Sequence, residues 1–144
     1  MATGRHAEVT WNGSLMEGSG SIDSVGSGAF APLDVTWASR TEEPGGLTSP
    51  EELIAAAHAA CFSMALSHAL AEAGAPPQEL KTGATVTFQP GEGITKIALT
   101  VRGKISGLDE DGFREAAEGA KAACPVSQAL TGVPEITLDA ALAA

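Results

Sequence analysis

One stretch constrains this chain more than any other: Thr48 to Gly74, TSPEELIAAAHAACFSMALSHALAEAG. Its signals agree on one long helix. Thr48 and Ser49 are N-cap candidates, and Pro50 suits the first helical position, where a missing N–H costs nothing. Ser49 followed by Glu52 is a capping-box pattern, and Glu51 and Glu52 bring negative charge to the positive end of the helix dipole. Gly74 is a natural stop, and Pro76 and Pro77 forbid continuation. The interior is mostly Ala, Leu, Ile, Met and Phe. Such a helix, about 36 Å long, is expected to be buried on every side. A chain of 144 residues is expected to be a single domain, residues 1–144, too small to enclose that helix alone, so a second subunit is expected to help. Near the helix middle sits Cys61, one of only two cysteines.

Charge and composition exclude several roles. A formal net charge of −10, with the basic residues scattered, repels nucleic acid. The helix holds His58, Ser63 and His68 between acidic flanks, which speaks against a membrane span. The opening residues MATGRHAEVTWNG contain no apolar run, so no signal peptide is expected, and two cysteines without one suggest a reducing cytoplasm.

The rest of the chain alternates in the manner of strands. Residues 6–12 end in Asn12-Gly13, a hairpin signal, and residues 15–24 read as extended. Phe30 to Ser39 carries Leu33, Val35 and Trp37 on one face, which predicts a third strand. Residues 79–89 and 94–106 flank the turn PGEG and form a second hairpin, with Ile97, Leu99, Val101 and Ile105 facing inward. Asp109, Glu110 and Asp111 open a second helix that ends near Ala123, because Pro125 disfavours helix at Cys124. A short turn PVSQAL and a last strand, Glu135 to Leu142, follow. The order βββ-α-ββ-α-β is an α+β fold, with helices in the middle and sheet outside.

Few residues offer chemistry. Cys61 and Cys124 form no C-x-x-C. A Cys inside an Ala-rich helix is by default an inert small hydrophobe, and a reactive pair, a metal site or a structural disulfide remain open on the residues alone. His58 and Cys61 lie at i and i+3 and share a helix face, but no second group of ligands has metal-site spacing, so a hydrogen-bonded structural histidine is expected. Arg40 stands before a Gly-bearing loop short enough for Glu51 or Glu52 to pair with it. Walker, zincin, nucleophile-elbow and dinucleotide motifs are all missing.

Together these residues say more. The run TSPEELIAAAHAACFSMALS, followed by ITKIAL, AKAACPVSQAL and EITLDAAL, resembles the OsmC/Ohr family, the osmotically inducible protein C and organic hydroperoxide resistance proteins. AAHAACFSMAL and CPVSQAL look more like the OsmC branch. The resemblance covers most of the chain in order. It implies an intertwined homodimer, with long central helices wrapped by antiparallel sheets, and a thiol-dependent peroxidase for organic hydroperoxides. Under it, Cys61 falls at the peroxidatic position and Cys124 at the resolving one. Arg40 falls where the OsmC branch carries its thiolate-stabilising arginine, and Glu51 where the family has the carboxylate that orients it. A dihydrolipoyl-type dithiol would be the reductant. No metal or organic cofactor is implied, because two sulfurs carry both electrons. The alternative is a redox-sensing or ligand-binding relative without significant turnover.

Overall fold

Local chemistry explains where most elements start and stop. A computed structural model describes residues 1–144, which divide into two compact units, Met1–Leu53 and Ile54–Ala144.

In the first unit, β1 (Ala7–Asn12), β2 (Ser19–Val25) and β3 (Leu33–Val35) form an antiparallel meander in the order β1-β2-β3. Gly13 takes a positive φ of 93° at the end of β1, and residues 13–18 connect the hairpin. The third strand is shorter than the alternation of Leu33, Val35 and Trp37 predicts. It stops at Val35, and Trp37–Thr41 form a one-turn helix, α1. The reason is local: Thr36 and Ser39 make a reciprocal capping box, each side chain bonding the other's backbone. The chain then loops back. Thr48 bridges to Val35, its N–H donates to the Asp34 carbonyl at 3.1 Å, and its carbonyl accepts from Ser39 Oγ at 3.0 Å.

The long helix, α2, spans Pro50–Glu72 and begins in the first unit. Ser49 Oγ accepts from the Glu52 N–H at 3.2 Å, while the Glu52 carboxylate accepts from Thr48 Oγ at 2.7 Å. Gly74, with φ at 83°, ends the helix as predicted.

The second unit is a three-stranded sheet with helices. β4 (Glu79–Gln89) pairs antiparallel with β5 (Gly93–Lys104), and β5 pairs with β6 (Glu135–Leu142). This last pairing is parallel, Ile97 opposite Ile136, so the expectation of wholly antiparallel sheets is corrected here. The cause is the crossover between these strands, α3 (Glu110–Ala123) and α4 (Pro125–Ala129), which returns the chain to the beginning of β5. Asp109 caps α3 through the Gly112 N–H at 2.8 Å.

Ile97, Leu99 and Val101 of β5 join Phe62, Leu66 and Leu70 of α2 and Phe113, Ala117 and Ala120 of α3 in one core. Gly103 is needed there, since a Cβ would sit 2.7 Å from the Phe113 ring. Only one stripe of α2 is fully buried in the second unit, at His58, Phe62, Leu66 and Leu70, spaced one turn apart. Ala56, Ala57, Ala60, Met64, His68 and Ala71 are exposed, Met64 to 74%. Burial on every side therefore does not occur within one chain, because the sheet and α3 of the second unit cover only one side. By length and composition α2 also qualifies as a membrane-crossing helix, yet its buried stripe is the core of the second unit.

Candidate active site

Cys124 is held by the junction of two helices. It ends α3, donating its N–H to the Ala120 carbonyl at 2.8 Å, and begins α4, accepting from the Gln128 N–H at 3.0 Å. Pro125 keeps Cys124 extended, with ψ at 121°. Its thiol is wholly buried, whereas Cys61, midway along α2, is partly exposed. Both are free thiols, and they lie near enough for each to shift the other's acidity. The fold thus brings together two cysteines that lie far apart in sequence.

The electrostatics of the pair are asymmetric. Burial pushes the Cys61 thiol above its ordinary 9.0, the Val126 N–H pulls against this, and bonding to a charged Cys124 pushes it further up. Burial also opposes charge on Cys124, but donors outweigh it: the Ser127 N–H, the Cys61 thiol, the Ser127 hydroxyl and the Val126 N–H bring Cys124 below 9.0. The pair loses its first proton readily and its second reluctantly, as expected of two sulfurs sharing one proton.

His58 stands one turn before Phe62 on the buried stripe of α2 and is wholly inaccessible. Its Nε2 lies 2.7 Å from Ser127 Oγ, and its Nδ1 has no hydrogen-bond partner. Burial lowers the His58 pKa from its ordinary 6.5, so the ring is neutral near pH 7. The expected hydrogen-bonded histidine is found. Ser127 was not singled out by the sequence, although it stands three residues after Cys124 across a helical turn. No three His, Cys, Asp or Glu side chains converge as a metal site would need.

Arg40 and Glu51 meet within the first unit. Arg40 Nε and Nη2 donate to the Glu51 carboxylate at 3.0 and 2.9 Å, a two-pronged pairing with Glu51 only 6% exposed. The Arg40 guanidinium also lies 5.7 Å from the Trp37 ring centre. The choice between Glu51 and Glu52 follows from helix geometry: Glu52 points back to Thr48, and Glu51 takes the arginine.

Residues 43–139 match the family model described as OsmC-like protein. The chain belongs to the OsmC-like family. It is 43% identical to the peroxiredoxin OsmC of Escherichia coli (strain K12) over 142 residues, covering 96% of each chain. It is 29% identical to the organic hydroperoxide resistance protein OhrB of Bacillus subtilis (strain 168) over 108 residues, 74% of this chain and 79% of that one. The crystal structure of Bacillus subtilis OhrB superposes with a TM-score of 0.66 at 26% identity, covering 96% of this chain and 98% of that one. An organic hydroperoxide resistance protein from Elizabethkingia anophelis, at 24% identity, shares the fold with a TM-score of 0.70 over 99% of this chain and all of that one. In this OsmC-like chain the segment matched by the family model contains Glu51, Cys61 and Cys124, while Arg40 lies just before it.

Proposed function

We propose that this OsmC-like protein is a thiol-dependent peroxidase that reduces organic hydroperoxides to alcohols in defence against oxidative stress. The observation that carries this is the pairing of two free thiols, with Cys61 partly accessible and Cys124 buried. Only the accessible sulfur can meet a substrate, so Cys61 is the nucleophile and Cys124 the resolving thiol.

The chemistry balances on these two sulfurs. The shared proton passes to Cys124 as the Cys61 thiolate attacks the terminal oxygen of ROOH. The O–O bond breaks, Cys61 becomes a sulfenic acid, and the leaving alkoxide takes the proton from Cys124 to depart as ROH, which leaves Cys124 as the thiolate. The Cys124 thiolate then attacks the Cys61 sulfur, an S–S bond forms, and hydroxide leaves as water after protonation. Two sulfurs have lost two electrons and the peroxide has gained them. An external dithiol, of the dihydrolipoyl type, returns the pair to its reduced state by exchange. On the resemblance, Arg40 is the cation that favours the Cys61 thiolate and Glu51 the carboxylate that fixes the guanidinium.

The working form is a homodimer in this proposal. The apolar, exposed stripe of α2 around Met64 supports it, since such surface is seldom left to water. A soluble, cytoplasmic setting fits a chain of net charge −10 whose chemistry needs reduced thiols.

The test is a free-thiol count with intact mass, before and after one equivalent of tert-butyl hydroperoxide. Loss of both thiols and of the mass of two hydrogens, reversed by a dithiol and missing in Cys61→Ser, is expected. Two thiols unchanged by the peroxide would refute the proposal.

A further inference from the structure

The peroxidase reading gives Cys61, Cys124, Arg40 and Glu51 their tasks and leaves Trp37 without one. In a strand, Trp37 and Arg40 would lie on opposite faces, because they stand an odd number of residues apart. The Thr36–Ser39 capping box makes this segment the helix α1 instead, and residues at i and i+3 of a helix share a face. Two more bonds close the turn: Thr41 Oγ donates to the Trp37 carbonyl at 2.9 Å, and the Glu42 N–H donates to the Ala38 carbonyl at 2.8 Å. The indole and the guanidinium therefore leave neighbouring positions on a backbone that is pinned at both ends.

Arg40 is held from two directions. Its edge meets Glu51, with Nε donating to one carboxylate oxygen at 3.0 Å and Nη2 to the other at 2.9 Å. An in-plane fork of this kind resists sliding better than tilting. Water also competes for it, since the Arg40 side chain is 29% exposed. Its face meets Trp37, whose ring centre lies 5.7 Å from the guanidinium carbon. That separation is within the range of cation–π attraction, which acts on the face of the cation and consumes none of its N–H groups. The indole thus opposes the tilting that the carboxylate allows. Trp is the strongest π partner among the side chains, and a planar guanidinium can lie flat on it where an ammonium cannot.

We propose that Trp37 is a positioning residue of the peroxidase: it carries the face of the Arg40 guanidinium while Glu51 carries its edge, so that the arginine presents its donors in one direction. This rests on the reading of Arg40 as the cation that favours the Cys61 thiolate. A guanidinium that tilts freely must be reoriented as charge develops, whereas one fixed on edge and face needs no reorganisation at the moment of reaction. Trp37, Arg40 and Glu51 all belong to the first unit, and Trp37 works through the arginine and not on the reacting atoms.

The test is the second-order rate at which tert-butyl hydroperoxide consumes the Cys61 thiol, followed by rapid quench and thiol labelling. Trp37→Leu keeps apolar bulk and lacks a π face; it is expected to slow the step on the order of two- to fivefold. Trp37→Phe, with a weaker face, should recover most of that rate, a rescue that space-filling alone does not explain. Arg40→Ala should slow the step by about tenfold or more. Adding Trp37→Leu to Arg40→Ala should cost nothing further, because the partner is already gone. Trp37→Leu at the wild-type rate, or an undiminished further loss in the Arg40→Ala background, would overturn the positioning role and leave the peroxidase intact. Arg40→Ala at the wild-type rate would overturn the arginine's role and the tryptophan's with it. A second measurement needs no Trp37 variant to fold: in Trp11→Phe the only remaining tryptophan is Trp37, and Arg40→Ala should shift its emission. Unshifted emission would overturn the stacked contact. A wild-type protein whose thiols ignore the peroxide would overturn the peroxidase reading and this proposal together.

Discussion

Oxidation should make this protein measurably harder to unfold. Joining Cys61 to Cys124 closes a loop of about 60 residues, and chain entropy assigns such a cross-link about 4 kcal/mol through the unfolded state. Part of this is offset in the folded state, because the sulfurs must approach to bonding distance. A net gain of about 2–4 kcal/mol remains, the usual range for disulfides. For a chain of this length that is a rise in Tm of about 6–12 °C. The assay is thermal unfolding of the reduced protein and of protein treated with one equivalent of tert-butyl hydroperoxide, monitored by far-UV circular dichroism. Cys124→Ser, treated alike, is the control: it retains the Cys61 oxidation and lacks the cross-link, so its Tm should barely move. An oxidised wild type that melts with the reduced form, or a Cys124→Ser protein with the same gain, would refute the reasoning.

Three further outcomes follow from particular contacts. Glu51→Gln removes the charge that two guanidinium N–H groups face and sets an amide donor against them; with Arg40 still 29% exposed, water offsets part of the loss, and a destabilisation of about 1–2 kcal/mol is expected in urea unfolding. Met64→Glu places a charge on the exposed stripe of α2 and should convert a dimer to monomer in size-exclusion chromatography with light scattering, leaving the core at Phe62, Leu66 and Leu70 folded. His58 gives an acid-sensitive term: its pKa is lowered in the folded protein by burial, so the unfolded chain binds the proton first as pH falls below 6.5, and stability drops from there down to the folded value. His58→Gln lacks that term, so its loss of stability between about pH 7 and pH 5 should be smaller than wild type, measured by urea midpoints.

Much of the fold was legible because its signals are local. Pro50, Glu51, Glu52 and Gly74 mark the ends of α2, Asp109 caps α3, and the alternation through Ile97, Leu99 and Val101 gives β5 its inner face. Each depends on a residue's own backbone preference or on neighbours within one turn. The helix α1 was equally local, since Thr36 and Ser39 stand at capping-box spacing, but the period-two pattern of Leu33, Val35 and Trp37 competes with it and reads as strand. The single-sided burial of α2 was not legible, because an all-apolar helix reports that cover is wanted and not which molecule provides it.

By itself the sequence determined the elements, their order, and the presence of two cysteines in motifs that resemble a known family. Only the tertiary structure decided which distant residues meet. The parallel pairing of β6 with β5, the contact of Cys61 with Cys124, and the 2.7 Å approach of His58 to Ser127 all join parts of the chain that no local rule connects. The physical reason is range. Caps, turns and periodicity act within a few residues, whereas the acidity of Cys61 is set by burial and by groups from a distant helix, the Val126 N–H and Cys124, which packing alone brings to its sulfur.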